Sequence, residues 1–234
     1  MFKLKQKRLV GSEERPSLIT ITRPSSIIAE QFRTIRTNIN FSMVDSDLKT
    51  LAITSAGPGA GKSTISANLA VAFAQEGKKV VLVDADLRKP TVHKTFRISN
   101  RDGLSTLLKD KEIMISDVVH HVATGNLHVI TSGIKPPNPA ELLGSNRMVQ
   151  LMNELTKIYD LVIFDLPPII AVTDAQIISS KTDGTIFVIN KDGADKGMVL
   201  KSKELLEKVN ANVLGAIFNR VEINNTDYYY YSEE

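Results

Sequence analysis

Apolar and polar residues follow one another along this chain in two rhythms. Short runs such as Val80-Val81-Leu82-Val83 and Leu161-Val162-Ile163-Phe164 are apolar along their whole length, the mark of strands covered on both faces. Between such runs, apolar residues recur every three or four positions, the spacing of a helix with one buried face. The pattern predicts strands at 50–55, 79–84, 127–131, 160–165, 185–190 and 213–218. Helices are predicted at 27–41, 62–76, 103–109, 145–157, 174–181 and 197–209. Strands alternating with helices specify an α/β fold, a doubly wound and mainly parallel sheet with helices on both faces. Ligands of such a sheet sit outside the carboxyl ends of its strands.

Three segments follow from the same pattern: an arm over 1–26, a domain over 27–221 and a polar, tyrosine-rich tail over 222–234. In the first helix Ile28, Phe32, Ile35 and Ile39 form an apolar stripe, with Ser25 or Ser26 placed to cap it. Its other face carries Glu30, Arg33 and Arg36, each three apart and therefore stacked. That row is either a solvated charged face or a surface that docks on a neighbouring copy.

The chemistry starts at the end of the first strand. Residues 51–64 run from an apolar strand through Gly57, Pro58, Gly59, Ala60 and Gly61 into Lys62, Ser63 and Thr64, where a helix begins. This is a P-loop in its required context, with Ala56 at the position where the pattern G-x-x-x-x-G-K-[ST] begins with Gly. Small residues let successive backbone N–H groups turn in around a polyphosphate, and the helix N-terminus adds partial positive charge. Lys62 is placed to reach the β- and γ-phosphates, and the Ser63 hydroxyl to ligate Mg²⁺. Two strands then end in acids: Asp84-Ala85-Asp86-Leu87-Arg88 and Asp165-Leu166-Pro167-Pro168. Mg²⁺ prefers carboxylate and hydroxyl oxygens, so Asp86 and Asp165 are expected in its shell with Ser63. Asp84 is the candidate base for an attacking hydroxyl. Arg88 either steadies charge in the transition state or pairs with Asp86.

Composition narrows the picture further. The 234 residues contain no cysteine, which removes disulfides, thiolate metal sites and a cysteine nucleophile. A net charge of +3 with scattered basic residues gives no nucleic-acid footprint. No apolar run approaches the about 18 residues of a membrane span, and the basic N-terminus lacks the apolar stretch of a secretory signal. His93, His120, His121 and His128 show no metal spacing and are expected at the surface. Thr173 or Asp174 is expected to cap the helix that follows the second acidic loop. The Pro136–Pro139 segment frames either the site mouth or a subunit contact.

Taken together, these motifs resemble the bacterial tyrosine kinases of capsule and exopolysaccharide loci. The resemblance rests on the P-loop with Pro58, Asp-x-Asp-x-Arg at 84–88, Asp-x-Pro-Pro at 165–168 and Glu-x-x-Arg-x-x-Arg at 30–36. It extends to Ser132-Gly133, to the Pro-Pro-Asn-Pro-x-Glu-Leu-Leu of 136–143 and to consecutive Tyr228, Tyr229, Tyr230 and Tyr231. It implies an ATP- and Mg²⁺-dependent kinase that phosphorylates those tyrosines on a neighbouring subunit. The row Glu30, Arg33 and Arg36 would mediate a ring-like homo-oligomer. Further implied partners are a separate transmembrane activator (a polysaccharide co-polymerase) and an opposing tyrosine phosphatase. The chain would then be cytoplasmic, recruited to the inner face of the membrane by its partner. Likeness to other P-loop ATPases places Asn219 at the adenine edge; a strand-ending turn is the alternative. A rival assignment is a partition or cell-division-site ATPase, a nucleotide switch of nearly the same fold. Those proteins carry a further lysine five positions before the P-loop lysine, and here that position is Gly57.

Overall fold

A seven-stranded sheet in the order β3-β4-β2-β5-β1-β6-β7 forms the centre of the computed structural model, which describes residues 18–43, 47–122, 125–191, 193 and 195–221. The arm up to residue 17 and the tail from 222, with its four tyrosines, lie outside the described residues. In chain order the elements are α1 (Ile19–Thr22), α2 (Ile27–Phe41), β1 (Thr50–Ser55), α3 (Lys62–Gln75), β2 (Val80–Asp84) and α4 (Val92–Phe96). Then come α5 (Leu104–Lys109), α6 (Ile115–Val118), β3 (Val119–His121), β4 (Leu127–Ile130), α7 (Pro139–Gly144) and α8 (Asn146–Ile158). The chain closes with β5 (Leu161–Asp165), α9 (Asp174–Ser179), β6 (Gly184–Asn190), α10 (Lys196–Lys208) and β7 (Val213–Asn219). All six predicted strands are present and mutually parallel wherever they pair. The edge strand β3 was not expected; it pairs antiparallel with β4, and three residues are too few to show alternation. The same brevity hides α1, α4, α6 and α7.

Strands β1, β2 and β5 are buried at every position, as their unbroken apolar runs require. Their two faces feed two cores. One, under α2 and α3, contains Phe32, Ile39, Leu51, Ile53, Leu69, Phe73, Leu82 and Ile163. The other, under α5 and α7–α9, contains Leu104, Leu143, Leu151, Leu155, Phe164 and Ile178. Burying side chains of this size contributes about 1.5–3 kcal/mol each.

Helix α2 is capped by Ser26, whose Oγ accepts from Ala29 N at 3.2 Å. Its buried positions are Ala29, Phe32 and Ile39, while Ile28 is 46% exposed, a correction to the predicted stripe. The helix turns Ala29 inward in place of Ile28. Among the histidines, His128 is buried rather than solvated. Its Nε2 lies 2.8 Å from His121 Nδ1 across the β3–β4 pair, and its ring meets Tyr159 edge-on. Among the described residues no group of three His, Cys, Asp or Glu side chains is set to hold a metal ion by itself, nor is any helix long and apolar enough to cross a membrane.

The P-loop helix α3 is held along its length. Thr20 of α1 is fully buried, donating from its N and Oγ1 to Asn68 Oδ1 at 3.1 and 2.9 Å. At the other end Arg36 donates from Nη1 to Ala72 O at 3.0 Å and lies 3.4 Å from Glu76. Ala72 belongs to the last turn, where carbonyls lack helical partners and a cation is favoured. Glu30 and Arg33, by contrast, pair with each other, and Arg33 also donates to Pro24 O. The row of three is thus divided: Arg36 (side chain 16% exposed) braces its own subunit, and Glu30 with Arg33 faces outward. Arg36→Ala is expected to lower the folding free energy by about 1.5–3 kcal/mol. Glu30→Ala, at an exposed pair, should cost less than about 1 kcal/mol. Urea midpoints of the two variants check this, and equal shifts would contradict the division.

Candidate active site

β5 is the middle strand of the sheet, with β1 on one side of it and β2 on the other. The register places Asp165 beside Ile53 of β1 on one flank and Asp84 of β2 on the other. Neighbouring strands are about 4.8 Å apart, so the two carboxylates emerge side by side next to the P-loop. Strand pairing alone brings them together.

The P-loop turns through two left-handed glycines, Gly59 at φ +75° and Gly61 at φ +87°. A Cβ at Gly61 would also overlap the side-chain amide of Asn219. Asn219 sits at the end of β7 and donates from Nδ2 to Ala60 O at 2.8 Å, while its Oδ1 accepts from Arg220 N at 2.9 Å. Both ends of the amide are therefore engaged. Asn219 fastens the P-loop to the sheet. Beside Gly57 and Pro58 a cleft opens, lined on its far side by Ile189, Asn190, Asp195 and Met198.

Lys62 is the centre of the charge. Its Nζ lies 3.0 Å from Asp86 Oδ2, 3.8 Å from Asp165 Oδ2 and 3.3 Å from Ser63 Oγ. Burial works to lower its pKa, but Asp165 and Asp86 outweigh that and leave it raised, so the ammonium is firmly charged. Asp86 Oδ1 also accepts from Lys89 N at 3.0 Å, closing a tight turn. Asp84 is wholly buried. Its Oδ2 accepts from Thr91 N and Val92 N at 3.2 and 3.1 Å, and Oδ1 has a longer contact of 3.3 Å from Asp86 N. Burial, and then the charge of Asp165, push the Asp84 pKa well above the usual carboxylate range. Burial likewise raises Asp165, against the pull of Lys62.

Asp165 Oδ1 accepts from Ser66 Oγ at 3.0 Å. Its Oδ2 is buried with no hydrogen-bond partner, a costly state for a carboxylate oxygen. That orphaned oxygen, with Asp86 and Ser63 nearby, fits an Mg²⁺ site. Ser66 escaped the sequence reading, although it stands one turn after Lys62 on the same helix face. Arg88 pairs with Asp174 in place of the expected Asp86. Its Nε and Nη2 donate to the two oxygens of Asp174 at 2.9 and 3.0 Å. Thr173 makes no side-chain cap on α9, and Asp174 is given over to Arg88.

The raised carboxylates set a pH dependence. A folded-state pKa above the unfolded value means the metal-free fold binds extra protons. Stability from Asp84 and Asp165 is therefore present at low pH and lost as pH rises through the raised values. A cation that replaces those protons gains over the same range. The rise in Tm given by Mg²⁺ with nucleotide should be larger at pH 8 than at pH 6, more steeply in the wild type than in Asp165→Asn. Thermal melts of both proteins check this. Identical pH trends would remove Asp165 from the cation's shell.

Similarity to known proteins agrees with this geometry. A family model described as "AAA domain" matches residues 48–214. The tyrosine-protein kinase YwqD of Bacillus subtilis is 49% identical over 222 residues, covering 94% of this chain and 93% of its own. The Escherichia coli tyrosine-protein kinase etk is 36% identical over 94% of this chain, a match that covers 31% of that protein. The crystal structure of the chimerical protein CapA2B2 superposes with a TM-score of 0.85 at 45% identity, over 88% of this chain and 90% of the other. With the P-loop, the paired acidic strand ends and relatives of this closeness, the chain belongs to the bacterial tyrosine kinase family.

Proposed function

We propose that this protein transfers the γ-phosphoryl group of ATP to the tyrosines of its C-terminal cluster, Tyr228–Tyr231, on a neighbouring subunit, and so regulates capsular or extracellular polysaccharide synthesis and export. The carrying observation is the arrangement of one buried lysine against Asp86 and Asp165 at the mouth of a P-loop, with Asp84 beside them. In this reading the P-loop amides and Lys62 hold the β- and γ-phosphates, as a helix N-terminus and a nearby ammonium favour. Ser63, Asp86 and Asp165 hold Mg²⁺. When bound, that ion neutralises charge on the transferring phosphoryl group. Asp84, fixed through Oδ2, takes the phenol's proton as the new bond from tyrosine oxygen to phosphorus forms and the bond to ADP breaks. Its raised pKa suits that role.

The tail composition supports the choice of substrate. Asn224, Asn225, Thr226, Asp227, Ser232, Glu233 and Glu234 flank the tyrosines and give them no apolar partner. Against the nucleotide-switch alternative stands Gly57, where a Cβ would meet Met198 Cε at 3.4 Å and no lysine reaches out. Glu30 and Arg33 are the proposed contact in a ring-like assembly, on the helix that Arg36 fastens to α3. The etk match spans 31% of that protein, and a separate transmembrane activator is the further partner proposed. We assign the chain accordingly to the cytoplasmic face of the membrane, with a phosphatase acting in opposition and no nucleic-acid partner.

The test is to incubate the full chain with ATP and Mg²⁺, with and without the cytoplasmic segment of its activator, and to map phosphate by mass spectrometry. Phosphate is expected on Tyr228–Tyr231 and absent in Lys62→Met. ATP consumption without phosphotyrosine, even with the activator present, would overturn the assignment in favour of the switch.

A further inference from the structure

The pair Arg88–Asp174 is unusual in its burial. Asp174 is the first residue of α9 and is wholly buried. Arg88 is 38% exposed and embraces both of its oxygens. Taking a carboxylate out of water is costly, and the cost is offset only by close, well-aligned charge. A carboxylate at the start of a helix usually serves that helix, yet here both oxygens are used by a residue from another loop. The two ends of the pair belong to the two acidic segments of the site. Arg88 lies within the turn that Asp86 closes through Lys89 N. Asp174 ends the segment that leaves Asp165 at the tip of β5. Because β2 and β5 are neighbours, the ion pair straps the two acidic loops together above the point where their strands end.

We propose that Asp174 is a positioning residue for the Mg²⁺ site, acting through Arg88 to fix the turn that presents Asp86; this rests on the reading of Asp86 as a ligand. With Arg88 held, the Asp86 carboxylate keeps one oxygen on Lys89 N and turns the other toward Lys62 and the P-loop. With the strap cut, Asp86 is free to swing with its turn while the P-loop, fastened by Asn219 on the other side, stays as it is. Metal binding should therefore weaken and metal-free nucleotide binding should not. A residue serving only the fold would weaken both.

The experiment titrates a fluorescent ADP analogue onto the full chain in EDTA and over a series of Mg²⁺ concentrations, for the wild type, Asp174→Asn, Arg88→Ala and the double variant. Partners standing behind a metal ligand commonly set metal affinity by 10–100-fold. Asp174→Asn is expected to raise the Mg²⁺ needed for half-maximal binding by about 10-fold, with affinity in EDTA near that of the wild type. The double variant should match Arg88→Ala, because both changes cut one contact. Arg88→Lys, which keeps the charge but not the two-pronged contact, carries the same test without altering the buried position. A parallel fall in both affinities, or an unchanged Mg²⁺ requirement, overturns the proposal. The readout is independent of phosphotyrosine. A chain that fails to phosphorylate its tail but shows the Mg²⁺ shift would refute the kinase reading and leave this one standing.

Discussion

Everything around the site answers to one imbalance: a single buried ammonium, Lys62, faces Asp84, Asp86 and Asp165. Three carboxylates against one lysine leave negative charge in a place that water barely reaches. Such charge either takes up protons or collects a cation. The raised pKa values of Asp84 and Asp165 are the first response; the orphaned Asp165 Oδ2 points to the second. The arrangement cannot relax, because backbone pairing of β2 with β5 fixes two of the acids side by side. A sheet that sets acids beside a phosphate loop in this way concentrates negative charge that a divalent cation would offset.

The surroundings keep that charge in register. Helix α3, whose N-terminus closes the P-loop, is braced near its end by Arg36 and along its side by Thr20 on Asn68. Asn219 ties the P-loop to the last strand. On the other flank, Arg88 and Asp174 join the two acidic loops. Each brace comes from a part of the chain remote from the one it supports, so the geometry of the site depends on the whole domain being folded.

Those remote contacts also explain what could be read from the sequence. The strands were legible because each carries a short apolar run, and the P-loop because its glycines, lysine and serine stand in one unbroken stretch. The acids were legible because each follows such a strand. Asn219 was recognisable at a strand end, Arg88 in an acidic loop and Asp174 at a helix start, but their partners lie across the fold and no local pattern names them. Ile28 belongs to a regular helical stripe, yet α2 turns its neighbour Ala29 inward and leaves Ile28 exposed. His128 reads as a polar position and is buried through its pairing with His121 and Tyr159. Strand β3 is too short to show a period.

The claim on which the account rests is that Asp86, Asp165 and Ser63 share one divalent cation at the P-loop. Anomalous diffraction from crystals grown with Mn²⁺ and a non-hydrolysable ATP analogue locates that cation directly. The account predicts one peak at the phosphates, ligated by Ser63 and held directly or through water by Asp86 and Asp165. A peak away from these residues, or bound nucleotide with no peak beside it, would contradict it.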